Sequence, residues 1–279
     1  MRKLVCIVSF VLACVACAVN DAPKPITLLG AAQIGAGDGV TQALVLSFDT
    51  DPAGLSAERI SVTGAIKGTL SGSGTTRTLT LAGITDFGEV VLTVSLTAIP
   101  GYVIQGAPVN VTVYNLAIGT SYQGGKIAYF KKPADSGYDE RIPHGLIVSP
   151  ADQDAGCFRV WALAGYTNIA VPGGTGTALG SGSENTANII AQQGSSTTYA
   201  AGLAKSYDGG GYTDWYMPSI DEMVLISQNR DQFGGLSADS YWTSSEQDGA
   251  NIWYYFPSSD YKGYDTKDKP GRVRAIRSF

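Results

Sequence analysis

The chain has 279 residues and a net charge of −5, and only 15% of its residues are charged, while Gly supplies 35 positions and Tyr 15. That length suits two domains, each large enough to bury a core without cross-links, and the balance is that of an exported, turn-rich, strand-dominated protein. An acidic chain with so few cations is a poor partner for a phosphate backbone, so nucleic acid is excluded as a ligand class.

Met1, Arg2 and Lys3 followed by the apolar run 4–15 form a charged n-region and an h-region too short to span a bilayer, the pattern of an export signal. The run ends Leu12-Ala13-Cys14-Val15-Ala16-Cys17, which resembles the lipobox of bacterial lipoproteins. There a Cys after small residues is acylated and becomes the mature N-terminus. Cys17, after Val15 and Ala16, is the expected lipidation site; Cys14 is the alternative, and an ordinary signal peptide cut nearby is the competing reading. Residues 1–17 are then a signal peptide and the protein is held at the bacterial outer membrane or cell surface, with the membrane as partner through the anchor. Residues 18–25 are polar with two prolines and suit a short tether. Loss of Arg2 and Lys3 with the leader leaves 17 basic against 24 acidic residues. Cys6, Cys14 and Cys17 all lie in the first 17 residues, so Cys157 stands alone in the mature chain. No internal disulfide is expected, and Cys157 is expected to be a small buried hydrophobe. The single histidine, His144, lies between Pro143 and Gly145 and is expected as a hydrogen-bonded turn residue.

Residues 26–115 alternate apolar and polar positions in short runs between Gly, Asp and Pro, the pattern of half-buried antiparallel strands. Leu44, Leu46 and Phe48 face one way, as do Leu92, Val94 and Leu96, and again Val109, Val111 and Val113. Turn signals at 35–39, 49–52, 71–74 and 100–101 suit about seven strands in a β-sandwich, and helical periodicity is absent. The run Ile60-Ser61-Val62-Thr63-Gly64-Ala65, with Gly68-Thr69-Leu70 and Gly101-Tyr102, resembles bacterial immunoglobulin-like repeats of surface proteins. That resemblance implies a stalk; the other reading is that this region itself binds a ligand.

The composition shifts toward Tyr, Trp and Gly after residue 118. Residues 119–130 predict a first strand with 145–150 as its hairpin partner. Residues 184–193 and 198–207 predict one broken helix or two short ones. Residues 219–229 predict a helix with Ser219 as N-cap, Glu222 closing a capping box, and Met223 and Ile226 on its buried stripe. Strand pair, helices and a final set of aromatic strands give an α+β domain over 118–279, in which the first and last strands are expected to pair.

The stretch 240–279 has two ends that look fixed and a middle that looks free. Val273, Ile276 and Phe279 suit a core strand, with Arg272, Arg274 and Arg277 as donors to carboxylates or carbonyls. Trp215, Trp242 and Trp253 are expected in the core. Between them, a loop rich in Tyr, Ser, Gly, Asn and Asp has the composition of a rigid yet adaptable recognition surface. The candidate ligand-binding residues are Asp248, Asn251, Tyr255, Pro257, Ser258, Ser259, Asp260, Tyr261, Tyr264, Thr266 and Asp268, with Tyr255, Tyr261 and Tyr264 as anchors.

Tyr122-Gln123-Gly124-Gly125, His144-Gly145-Leu146-Ile147-Val148, Ala187-Asn188-Ile189-Ile190, the run from Gly211 to Met223, Tyr241-Trp242-Thr243-Ser244-Ser245-Glu246 and Arg272-Val273-Arg274-Ala275-Ile276-Arg277 resemble the bacterial DUF1566 domain. That resemblance implies a C-type lectin architecture, related to formylglycine-generating enzymes. With anchor and stalk, the whole chain resembles the variable lipoproteins of treponeme diversity-generating retroelements. There, adenine-bearing codons near the gene's 3′ end are rewritten and the altered residues form the ligand-binding face. The resemblance implies a variable region within 240–279, a face at about 247–268, and a host or microbial protein or glycan as ligand. Gln247 and Lys262 cannot arise from rewritten Asn codons and are expected to be fixed. The Glu-Pro-Asn, Gln-Pro-Asp and Trp-Asn-Asp triplets of calcium-dependent lectins are absent, and one Cys cannot supply the pair that formylglycine-generating enzymes use. No metal, cofactor or enzymatic activity is therefore expected. The competing functions are an unvaried structural envelope lipoprotein and a hydrolase using Asp214, Asp221 and Glu222, of which the last two sit where carboxylates stabilise a helix N-terminus anyway.

Overall fold

The alternation between residues 26 and 115 becomes eight strands in the computed structural model of the protein, which describes residues 22–279. The leader, Cys17 and Cys14 lie outside the described residues. The strands are β1 (Lys24–Ile34), β2 (Ala43–Phe48), β3 (Ile60–Thr63), β4 (Ala65–Ser71), β5 (Thr76–Ile84), β6 (Gly88–Leu96), β7 (Tyr102–Gln105) and β8 (Val109–Asn115). They form a five-stranded sheet in the order β4-β5-β2-β1-β7 and a three-stranded sheet in the order β3-β6-β8. All pairs are antiparallel except β1 with β7. The inward residues of both sheets, among them Leu44, Leu46, Phe48, Ile60, Leu92, Val94, Val111 and Val113, meet in one apolar cluster. Gly64, at φ 89°, lets the chain leave one sheet at Thr63 and enter the other at Ala65. Residues 33–39 also touch the second half of the chain: the Ala36 and Gly37 amides donate to the Glu140 carbonyl at 2.9 and 3.1 Å.

The second half contains β9 (Ser121–Tyr122), β10 (Gly125–Phe130), β11 (Gly145–Val148), β12 (Arg159–Val160), α1 (Gly182–Gln193), α2 (Ala200–Lys205), α3 (Ile220–Ser227), β13 (Tyr241–Glu246), β14 (Asn251–Phe256), β15 (Tyr261–Thr266), β16 (Pro270–Gly271) and β17 (Ile276–Ser278). β10 and β11 pair as the sequence predicts, but β17 pairs with β11 and not with β10. The other edge of β10 is already taken by β9, which folds straight back onto it at Tyr122 and Gly125. Gly145 makes room for this layer, since a Cβ there would lie 1.9 Å from the Tyr129 carbonyl. His144 is half-buried, with Nδ1 3.1 Å from the Phe279 carbonyl.

The 272–279 stretch is a strand only over Ile276–Ser278. Val273, Arg274 and Ala275 before it are buried but bond to loops: the Ser149 amide donates to the Ala275 carbonyl and the Gln153 amide to the Val273 carbonyl, each at 2.9 Å. Arg272 bridges Asp154 and Asp239, Arg274 binds Asp152, and Arg277 grips Asp214 with two nitrogens at 2.8 Å. α3 starts as predicted: Ser219 Oγ accepts from the Glu222 amide and Glu222 Oε2 accepts from the Ser219 amide. Cys157 departs from expectation. It is exposed, in a turn closed by its amide on the carbonyl of buried Asp154, because Ala155 and Gly156, at φ 49° and 83°, carry the chain around at the surface.

Candidate functional site

The site is built on β13. Its segment Thr243-Ser244-Ser245 is fully buried, and the pairing of β13 with β14 shifts register there. The displaced polar groups become a hub. Thr243 Oγ1 donates to the Trp253 carbonyl at 2.7 Å, Asn185 Nδ2 donates to Ser244 Oγ at 3.2 Å, and Ser245 Oγ donates to the Gly176 carbonyl while accepting from the Ile220 amide. Satisfied buried polar groups of this kind hold neighbouring elements in one arrangement. Here they tie β13 to β14, α1 and the start of α3.

From that base the hairpin β14–β15 projects, paired from Asn251 with Thr266 to Phe256 with Tyr261. The middle stretch that looks free in the sequence is thus ordered into a strand, because β14 supplies the ladder that its own polar residues do not advertise. The loop 257–260 closes on an Asp260 at φ 51°, a left-handed position that Asp tolerates. Asp260 Oδ1 accepts from the Tyr255 hydroxyl at 2.7 Å and from Arg230 at 3.0 Å. With Val224, Gln228 and Lys262 these residues line a cleft of about 370 Å³ between the hairpin and α3. Lys262 leans across it to Asp221 at 2.9 Å.

Each face of the hairpin carries an aromatic pair. On one face Trp253 lies opposite Tyr264, edge to face, with ring centroids 6.0 Å apart. On the other, Trp242 contacts Tyr254 at 6.2 Å and Tyr254 contacts Tyr261 at 6.3 Å, the two tyrosines meeting over Gly263. A Cβ at Gly263 would sit 2.5 Å from the Tyr254 ring, so glycine is what lets the rings close over the strand. Tyr261 and Tyr264 end these ladders at the surface, 56% and 60% exposed. Their spacing of three puts them on opposite faces of a strand, so they flank the edge of the sheet.

The other candidates divide. Ser258, Ser259, Asp260, Thr266 and Asp268 are exposed with Tyr261 and Tyr264, and Asn251 is half-buried. Asp248 is exposed but committed to its own turn, accepting from the Ala250 and Asn251 amides and from Asn251 Nδ2. Those bonds, the Asn251 side chain first, hold its carboxyl below the usual range. Asp268 is likewise lowered, by the Thr266 hydroxyl at 2.5 Å. Tyr255 and Pro257 are corrections to the surface reading. Tyr255 is buried, packed in the cluster beside α3 with burial pushing its phenol up, and Pro257 is buried at the turn. Trp253 is a correction in the other sense. It is half-buried, because α3 covers only part of that hairpin face and Tyr264 shields the rest.

Lys267 had no signal in the sequence, where it reads as one more surface lysine. Its side chain is fully buried, paired with Glu246, donating to the Ile169 carbonyl at 2.8 Å and lying 5.0 Å from the Trp161 ring. Both Glu246 oxygens accept from the Val171 amide at 3.1 Å. The pair therefore clamps the loop at Ile169 and Val171 to the foot of the hairpin.

Asp214, Asp221 and Glu222 each have separate partners. Asp214 is lowered by its bonds to Arg277, Asp221 holds Lys262, and Glu222 is buried with Tyr216, Ser219 and the Gly180 amide, its carboxyl raised by burial. Among the described residues no group of three or more His, Cys, Asp or Glu is arranged to hold a metal ion. Among them, too, no helix is long and apolar enough to cross a membrane.

No family model and no curated protein matches the chain. A crystal structure of a fimbrial protein from Bacteroides ovatus is similar to it at 12% identity and a TM-score of 0.42, over 90% of this chain and 70% of that one. A likeness of that size carries no argument about fold or role.

Proposed function

We propose that this is a ligand-binding surface lipoprotein whose recognition surface is the β14–β15 hairpin. Residues 118–279 form a C-type lectin-like domain of the DUF1566 kind. It stands on an immunoglobulin-like sandwich over 26–115 and is tethered through an acylated Cys17. The observation that carries the reading is the pair of aromatic ladders that end on exposed Tyr261 and Tyr264. Each phenol is backed by a second ring seated in or against the core, so little rotamer entropy remains to be lost when a ligand settles on it. The division of 240–279 supports a diversified region as well. The motif ends are buried in hydrogen-bond and ion-pair networks, whereas Ser258, Ser259, Tyr261, Tyr264 and Thr266 are exposed and lie outside the buried clusters.

The test is an array of glycans and of surface proteins probed with residues 22–279. Ligands held by the wild type should bind the Tyr261→Ala/Tyr264→Ala double variant at least tenfold more weakly while its fold is retained. Ligands bound equally by both proteins would place recognition elsewhere. Acyl labelling should be lost in Cys17→Ser; label that persists there and disappears in Cys14→Ser would move the anchor.

A further inference from the structure

Building on the hairpin as recognition surface, we infer that the open edge of β15 takes up an extended, basic polypeptide segment as a fourth strand of the β13-β14-β15 sheet. β15 ends that sheet and, among the described residues, pairs only with β14. The Lys267 amide donates to the Ala250 carbonyl, which marks 250 and 267 as a hydrogen-bonded pair. By the alternation of an antiparallel ladder, Ile252 with Asp265, Tyr254 with Gly263 and Phe256 with Tyr261 are bonded pairs too. The backbone groups of Lys262, Tyr264 and Thr266 then face outward.

Among the described residues no other backbone group meets the N–H or C=O of Lys262 or Tyr264. The Thr266 amide is taken by Asp265 Oδ1 at 2.7 Å and its carbonyl accepts from the Lys269 amide at 3.1 Å, so the open groups are those of Lys262 and Tyr264. One residue on, the Lys267 carbonyl accepts from the Trp161 and Ala162 amides, so the chain covers itself where the open stretch ends. The open stretch is thus a short row of donors and acceptors at a two-residue repeat of about 6.7 Å. A polypeptide matches that repeat; a sugar, whose hydroxyls radiate from a ring, does not.

The surroundings suit a strand. Side chains of an added segment would alternate between Tyr264 on one face and Tyr261 on the other. The edge carries one lysine of the kind that blunts unwanted pairing, but its ammonium is drawn aside onto Asp221. On the same stretch Asp260 is paired with Arg230, Lys262 with Asp221 and Lys267 with Glu246, which leaves the exposed carboxylates of Asp248 and Asp268 and the half-buried Asp265 against Lys269. That balance favours lysine or arginine in the incoming segment.

The experiment selects a displayed library of random 12-residue peptides on residues 22–279, beside a glycan array probed with the same protein. The protein variants are Lys262→Pro and Lys262→Ala. Both lose the ammonium, but only proline removes the outward N–H and puts a ring on the edge. Basic peptides should be enriched, bind Lys262→Ala like the wild type, and bind Lys262→Pro at least tenfold more weakly. Should Lys262→Pro fail to fold, hydrogen exchange of the wild type decides: peptide should protect the Lys262 and Tyr264 amides. Failure to enrich peptides, equal binding by both variants, or amides that stay unprotected overturns strand addition. A glycan lost in Tyr261→Ala/Tyr264→Ala but kept in Lys262→Pro would leave the hairpin as recognition surface and remove only this inference.

Discussion

Lys267→Met removes an ammonium ion whose side chain is 0% exposed and leaves Glu246, 9% exposed, without its cation. Methionine nearly matches the volume, so no large cavity forms and the loss is electrostatic. The variant gives up the ion pair, the charged hydrogen bond to the Ile169 carbonyl and the cation over Trp161, while the Val171 amide remains as a donor to Glu246. Stranding one member of a buried pair costs about 3–5 kcal/mol, and a charged hydrogen bond of about 1.5–3 kcal/mol is contained in that figure. Replacing both charges should recover much of the loss, so Glu246→Gln/Lys267→Met is expected within about 2 kcal/mol of wild type. Urea unfolding followed by tryptophan fluorescence reads all three proteins. A loss under about 1 kcal/mol for Lys267→Met, or a double variant no better than the single, would refute the clamp.

Thermal melts should separate the surface tyrosines from the core. Tyr261→Ala and Tyr264→Ala are each expected to cost about 1 kcal/mol, one aromatic ring contact, against about 3–5 kcal/mol for buried Trp242→Ala; equal losses would make the hairpin tip packing. Glu222 has a folded pKa raised by burial, so its contribution to stability is fully present below the ordinary carboxylate range and falls as pH rises through the folded value. The advantage of wild type over Glu222→Gln should therefore shrink from pH 4 to pH 8 in paired urea titrations, and an advantage that grows would reverse the assignment. Chelator should leave the melting temperature unchanged, because among the described residues no three His, Cys, Asp or Glu side chains converge to hold an ion; a large drop with EDTA would reveal a site built from carbonyls.

Much of the local structure was legible from short-range chemistry. The period of two at Leu44, Leu46 and Phe48 dictates a strand with one buried face whatever its partners, and those residues are core. Ser219 and Glu222 three residues apart satisfy the first orphan amides of a helix from within the motif, so α3 begins where the sequence says. β15 was not legible. Tyr261-Lys262-Gly263-Tyr264-Asp265-Thr266 has no apolar alternation, and only the ladder from β14 makes it a strand. With that strand overlooked, the opposite facing of Tyr261 and Tyr264 was hidden as well.

What the sequence determined by itself is therefore what neighbouring residues settle among themselves: strand alternation, the capping box, glycine turns and a hairpin rich in tyrosine. Tertiary structure decided what depends on residues far along the chain. It placed β17 against β11 because β9 had filled the other edge of β10. It sank Tyr255 beside α3, left Trp253 half-covered, and turned Lys267 inward to Glu246 and Ile169. Burial and pairing of a side chain are set by what packs over it, and for these residues the covering elements lie up to about a hundred positions away, beyond the reach of any local pattern.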